Sequence, residues 1–295
     1  MARPPVRPQA LRGKIFRGST AVHSGRLTRA QLRTSAWRRV FPDVYACTSL
    51  AVTHRISAIA AAGVLLPGAI VCGRSAAALW GVPLVGPADD VELTVPTTCR
   101  AGAVRGVQVS RRSLASADVT RRDGVAVTTP LRTALDLGRI TPFDEAVVAI
   151  DRFLRARLVR LADLQESAAS LSGPGCRQVR RAVASADGLA ESPPETRLRL
   201  ALGRSPLPTP VAQYVVRDGD GRIARVDFAW PDHRVALEYE GAWHGEGHQV
   251  GKDRKRLNRL AAAGWLVVFV TAEDMRRLDE LFVRIAAALK SRAYA

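Results

Sequence analysis

The sequence predicts a mixed α/β chain of three folded parts behind a short disordered leader, and three observations predict it. Residues 11–50 read as helix, helix and short hairpin, the order of a winged helix-turn-helix. Residues 51–188 mix short alternating strands with alanine-rich and amphipathic helices, as an α+β scaffold or interaction module does. Residues 189–295 switch between alternation and helical spacing several times, which suits a small mixed sheet flanked by helices.

Taken in order, residues 1–10 hold three prolines and two arginines without an apolar run, so they are expected to be disordered and to carry no secretory leader. Residues 11–16 and 21–22 suggest a first helix. Residues 27–32 suggest a second one, capped by Thr28, with Arg29 and Arg33 on one face and Leu32 on the other. Residues 37–41, a Pro42-Asp43 turn and residues 44–46 read as a wing-like hairpin. Helices are expected at 54–66 and 73–81, the latter stopped by Gly81 and Pro83. Short strands follow at 91–95, 106–110 and 124–127, then helices at 130–137, 142–155, 161–171 and 177–189. In the last part Ser192-Pro193-Pro194-Glu195 is a capping box. A strand at 212–217 leads to a hairpin, 225–230 with 234–240, turned by Pro231-Asp232-His233. A helix at 252–263, a buried strand at 265–270 and a last helix at 275–288 close the chain.

Composition narrows the partners. With 44 Lys or Arg against 27 Asp or Glu, the formal charge is +17, which favours polyanions, nucleic acid first. Residues 1–42 carry ten of those cations and no acid. The cysteines at 47, 72, 99 and 176 are scattered, so neither disulfides nor a zinc ribbon is expected and a reducing cytoplasm fits. The longest apolar stretch, 56–72, is broken by Gly63, Pro67 and Gly68, so no membrane span is expected.

The chemistry concentrates in the hairpin. A two-residue loop pairs 230 with 235 and therefore 227 with 238, setting Asp227 beside Glu238 on one face with Cβ atoms about 4.5–5.5 Å apart. Two carboxylates so close need a cation or a shared proton, unless they face water. Hard oxygen ligands on a rigid hairpin suit Mg²⁺ or Mn²⁺. Such an ion would activate a water and offset charge on a phosphodiester. Asp227 and Glu238 are cast as its ligands and Glu240 as a third ligand or water-positioning base. His244 and His248 lie in a stretch with glycines at 241, 245, 247 and 251, read as a loop and not as a zinc-binding helix.

Asp227, Glu238, Glu240, Gly241, His244, Asp253, Arg256 and Gly264-Trp265 together resemble the endonuclease-like domain of unknown function 559. That family is a relative of the very-short-patch repair endonucleases in the PD-(D/E)xK superfamily, and the resemblance covers roughly residues 190–280. It implies a restriction-endonuclease-like sheet and adds Glu195, Gln213, His244, Lys252 and Arg256 as site residues. Glu195 is also explained by its cap, Gln213 by an ordinary exposed strand position. The pattern departs at Glu240, where the superfamily has lysine; Lys252 or Arg256 would have to stand in, or the site is degenerate. Arg256 is expected to reach Asp253, Glu240 or a phosphate. The segment 27–46, with GRSAAALWG and VELTVP further on, resembles AbiEi-type antitoxins over roughly residues 15–140. That resemblance makes Arg29, Arg33, Arg38 and Arg39 contacts to DNA, with a protein partner for the middle module; otherwise these arginines are a solvated face.

Two readings follow. The preferred one is a metal-dependent DNA endonuclease with its own DNA-binding module. The alternative is an antitoxin-type DNA-binding transcriptional regulator whose nuclease-like domain is inactive.

Overall fold

The structure is a computed structural model describing residues 7–99, 102–218, 221–240 and 247–292; side chains at 218, 222, 223 and 247–253 fall outside that description. It has the mixed α/β class that the sequence predicts, arranged as two compact units. The first comprises Met1–Ile140 and Ala156–Val183, the second Thr141–Arg155 and Ala184–Ala295. No helix among the described residues is long and apolar enough to cross a membrane.

The first unit opens with a 3-10 turn, Gln9–Leu11, so the end of the expected leader is structured and Leu11 is buried. Residues 11–16 are not a helix. Gly13 turns the chain at φ +62, and Ile15–Arg17 forms β1, whose β-branched and aromatic side chains favour pairing. Helix α1 (Gly18–His23) follows, starting on the carboxylate of Asp43, which accepts from Ser19 N at 2.8 Å. The expected second helix shrinks to one 3-10 turn, Gln31–Arg33. Thr28 and Gln31 cap each other reciprocally at 2.7 and 3.1 Å, and Leu32 alone anchors the turn to the core. The hairpin is present as β2 (Trp37–Phe41) and β3 (Val44–Cys47), giving a sheet ordered β1-β3-β2. Phe16, Trp37 and Tyr45 stack into a small aromatic core, with Phe16 edge-on to Trp37 at 5.1 Å.

Helix α2 (His54–Ala60) widens into a π turn over Ala61–Leu65, then β4 (Ile70–Val71) leads to α3 (Gly73–Leu79). Gly73 sits at φ +54, and a Cβ there would fall inside the Glu92 carboxylate that accepts from Arg74 N. Strands β5 (Val91–Val95), β6 (Val107–Arg111), β7 (Val119–Arg122) and β8 (Val125–Thr128) complete a sheet ordered β6-β5-β4-β8-β7, with α4 (Pro130–Leu137) beside it. Val71, Leu79, Leu93 and Val127 fill its core.

The chain then enters the second unit for α5 (Phe143–Arg155) and returns to the first for α6 (Leu161–Ser170) and α7 (Cys176–Ala184). Helix α8 (Pro193–Arg204) starts at Ser192, whose hydroxyl caps Glu195 N at 3.4 Å. Strands β9 (Val211–Asp218), β10 (Gly221–Trp230) and β11 (Val235–Tyr239) are antiparallel; α9 (Gly247–Ala262) then returns the chain to β12 (Leu266–Val270), parallel to β11. Helix α10 (Leu278–Arg292) ends the fold. The sheet is covered on both faces. Leu198, Leu202, Leu281 and Ile285 pack against Phe228, Val235 and Leu237, while Leu260 packs against Ala229 and Ala236 on the other side. Alternation on β11 therefore turns Glu238 toward the face that α9 covers.

Candidate functional site

Two places in the molecule gather the residues singled out by sequence. The first is the N-terminal module, where Arg29, Arg33, Arg38 and Arg39 are all exposed. Arg29 and Arg33 line a cleft of about 780 Å³ with Ser19, Thr20, His23 and Tyr45. Among the described residues on its wall, the one carboxylate, Asp43, is committed to α1 through Ser19 N and the Ser19 hydroxyl, at 2.8 and 2.5 Å. Among the described residues, Arg29, Arg33 and Arg38 have no ion-pair partner, and Arg39 donates only to Phe41 O at 3.4 Å. The second helix being one turn long, Arg29 and Arg33 are presented by a loop and a 3-10 turn, not by a recognition helix.

The second place is the hairpin, where Trp230 pairs with Val235, Ala229 with Ala236 and Phe228 with Leu237. That ladder ends at Phe228 and Leu237, the neighbours of Asp227 and Glu238, and Pro231–His233 forms a 3-10 turn completed by left-handed Arg234 and not a two-residue loop. Asp227 accepts from Tyr239 N at 2.8 Å. Burial, with the charges of Glu195, Glu238 and Glu191 adding to it, pushes its carboxyl up from 3.8 to about 6, against the opposing hydrogen bond from Tyr239. Glu238 is 8% exposed and receives a two-pronged Arg256 guanidinium at 2.6 and 2.7 Å. Of the expected partners of Arg256, the Asp253 side chain lies outside the described residues; α9 lies over the Glu238 face, so Glu238 takes the fork.

Glu195 is buried beside them. Its Oε2 accepts from Glu191 N at 2.7 Å and Gln213 Nε2 at 3.2 Å, and its Oε1 from the Ser192 hydroxyl at 2.7 Å. Gln213 takes φ +51 within β9. A non-glycine residue there costs about 1–2 kcal/mol, and this one is held by its bond to Glu195. Glu240 is exposed, its amide donating to Val270 O at 2.7 Å. His244 lies outside the described residues, as do the side chains of Lys252 and His248. The stretch expected as an open loop is helical from Gly247 onward despite Gly247 and Gly251.

The donors do not suit a divalent ion as arranged. Both Glu238 oxygens face Arg256, both Glu195 oxygens already accept, and one Asp227 oxygen holds Tyr239 N. Among the described residues, no three His, Cys, Asp or Glu side chains are grouped to hold a metal. Sequence reasoning placed Arg256 at the site without naming Glu238 as its partner, and it missed Glu191, which pairs with both Arg155 and Arg225 at 2.6 and 2.5 Å. No local spacing signals either pairing.

Residues 69–202 match the AbiEi antitoxin C-terminal domain family. Two proteins of Mycobacterium tuberculosis, the uncharacterized protein MT2308 of strain CDC 1551 / Oshkosh and the uncharacterized protein Rv2248 of strain ATCC 25618 / H37Rv, are each 32% identical over 268 residues, 88% of this chain and 94% of theirs. The crystal structure of the RV2827C protein from Mycobacterium tuberculosis aligns with a TM-score of 0.39 and 13% identity, over 69% of this chain and 83% of that one.

Proposed function

From the premise that the chain belongs to the family of the uncharacterized proteins MT2308 and Rv2248, with an AbiEi-type antitoxin domain at residues 69–202, we propose a DNA-binding regulator of antitoxin type. The observation that carries this reading is the cleft of the N-terminal module, whose Arg29 and Arg33 are exposed and lack carboxylate partners among the described residues. A phosphate backbone supplies the missing charge. Arginine forks bind phosphate oxygens in pairs, and binding releases counterions from the duplex. The antitoxin domain in turn implies a protein partner, a toxin held by the α+β scaffold.

The test is fluorescence anisotropy of the full chain on a duplex from the region upstream of its own gene, over a range of KCl. Binding should weaken with a log–log slope of about −0.9 per phosphate neutralised. Arg29→Ala with Arg33→Ala should make that slope shallower by about two. A slope and affinity unchanged in the double variant would end the reading.

A second reading, a metal-dependent endonuclease, is favoured by the convergence of Asp227, Glu238, Glu195 and Gln213 in the second unit. It requires Arg256 to leave Glu238, since the guanidinium occupies the carboxylate. Incubation of supercoiled plasmid with Mg²⁺, Mn²⁺ or EDTA, beside an Asp227→Ala control, decides it. Cleavage confined to the metal arms and lost in the control would establish the endonuclease; an intact plasmid throughout would discard it.

A further inference from the structure

A cleft of about 380 Å³ opens in the first unit, walled by Glu92, Gln108, Ser110, Arg112, Asp136 and Arg139. Its charges are unevenly matched. Asp136, with a side chain 7% exposed, is shared by three guanidiniums: Arg112 at 2.8 and 2.5 Å, Arg132 at 3.1 Å and Arg139 at 3.5 Å. The other acid near this group, Asp118, reaches Arg132 only at 3.4 Å. Glu92 does not make up the difference, because Arg74 holds it through backbone and side chain at 2.8 and 2.5 Å.

Spare donors accompany this positive excess. Arg139 makes only long contacts, to Pro174 O and Leu135 O at 3.4 Å and to Asp136 at 3.5 Å, at the edge of what counts as a hydrogen bond. Arg112 Nε is buried without an oxygen or nitrogen partner, and the guanidinium has besides Asp136 only the Cys72 sulfur, a weak acceptor, although a buried donor is nearly always satisfied. The Gln108 amide is exposed on the wall beside them. Burial lowers the pKa of Arg139, as expected of a guanidinium short of negative charge. The one thiol on the wall, Cys72, is pushed up to about 12 by burial and is no nucleophile at neutral pH. Two half-buried guanidiniums with an amide beside them are a donor set for a tetrahedral oxyanion. The cavity volume lies within the range of small-ligand pockets, about 300–1,000 Å³.

We propose that this cleft binds a small phosphorylated molecule, with Arg112 and Arg139 on its phosphoryl group and Gln108 at the rim. The proposal does not depend on DNA binding at the N-terminal module.

The test is isothermal titration calorimetry of the full chain in phosphate-free buffer with inorganic phosphate, AMP, GMP, ATP and citrate. Saturable binding of phosphate or a nucleotide, with citrate inert, is expected, and the comparison of phosphate with the nucleotides tells a free anion from an esterified one. Arg139→Gln should weaken binding about tenfold or more, the size of a lost charge-assisted hydrogen bond. Gln108→Ala, at an exposed position that does not threaten the fold, should weaken it less, while the Arg29→Ala, Arg33→Ala chain binds as before. The proposal is overturned if no phosphorylated probe saturates below about 1 mM, if both cleft variants bind like the parent, or if loss follows the Arg29 and Arg33 changes instead.

Discussion

Three arginines of the N-terminal module and five of the second unit are the same residue in opposite circumstances. Arg29, Arg33 and Arg38 stand in solvent without acidic partners among the described residues, whereas Arg155, Arg197, Arg199, Arg225 and Arg256 each hold a carboxylate. Both sets enter the formal charge of +17 with equal weight. On the proposed reading, the first set leaves its field to an outside polyanion. The second spends its field inside the fold, where removing either partner strands the other. Net charge alone gives no address for an anionic partner; under the proposed function, the pairing pattern supplies one.

The sharpest way to break this contrast is Asp151→Ala. Asp151 is 1% exposed and accepts from Asp187 N, Gly188 N, the Thr196 hydroxyl and Arg199, all at 2.8–2.9 Å. The variant should lose about 3–5 kcal/mol of stability in urea unfolding. A loss under about 1 kcal/mol, the level of a surface pair, would mean the second unit's arginines are no more committed than Arg29, Arg33 and Arg38.

Arg256→Ala comes next. It leaves Glu238 buried near Asp227, at a cost of about 1–3 kcal/mol once the partial exposure of Arg256 is discounted. The deficit should shrink as pH falls through about 6 and Asp227 takes up its proton. Thermal scans from acidic to neutral pH would show it; a deficit constant with pH would argue that the ion pair is not its source.

Asp227→Asn sharpens the comparison with the opposite sign. The carboxyl of Asp227 titrates near 6 in the folded chain against an ordinary 3.8, so the folded state holds this proton more tightly than the unfolded one. Its stabilising contribution is complete below 3.8 and disappears as pH rises through about 6. Asparagine cannot ionise. At neutral pH the variant should therefore be more stable than the parent, by about 1–2 kcal/mol after allowance for solvent screening, and its stability should vary less between these two values. A variant less stable than the parent at neutral pH would mean that Asp227 is paired with a cation and not crowded by acids.

What could be read from the sequence was what repeats locally. The alternation of residues 235–239 and the turn at 231–233 suffice for the register from Trp230 and Val235 to Phe228 and Leu237, which leaves Asp227 and Glu238 close enough for their charges to interact. Capping chemistry at Ser192 and Thr28 was equally plain. Contacts made across distance were not. Arg256 meets Glu238 because a whole helix packs over one face of the sheet, and Asp136 meets Arg112 across a sheet edge. Helical periodicity at 143–155 is the same whichever unit it serves, so nothing in it assigns α5 to the second. Residues 27–32 carry a genuine cap, yet the two leucines at the ends of that span, Leu27 and Leu32, are its only side chains in the core and give tertiary packing too little to hold more than one 3-10 turn.

The smallest expected effect is also the most discriminating. Replacing Arg29, Arg33 and Arg38 by alanine should change unfolding stability by no more than about 0.5 kcal/mol per site, since each is exposed and unpaired. Raising salt should then separate parent from variant. Screening relieves repulsion among the ten cations of residues 1–42, so the parent gains slightly in melting temperature while the variant, with fewer like charges, gains less. If salt instead destabilised the parent, these arginines would have to be held by attractive pairs in solution. The module would then resemble the second unit and leave no field for DNA to neutralise.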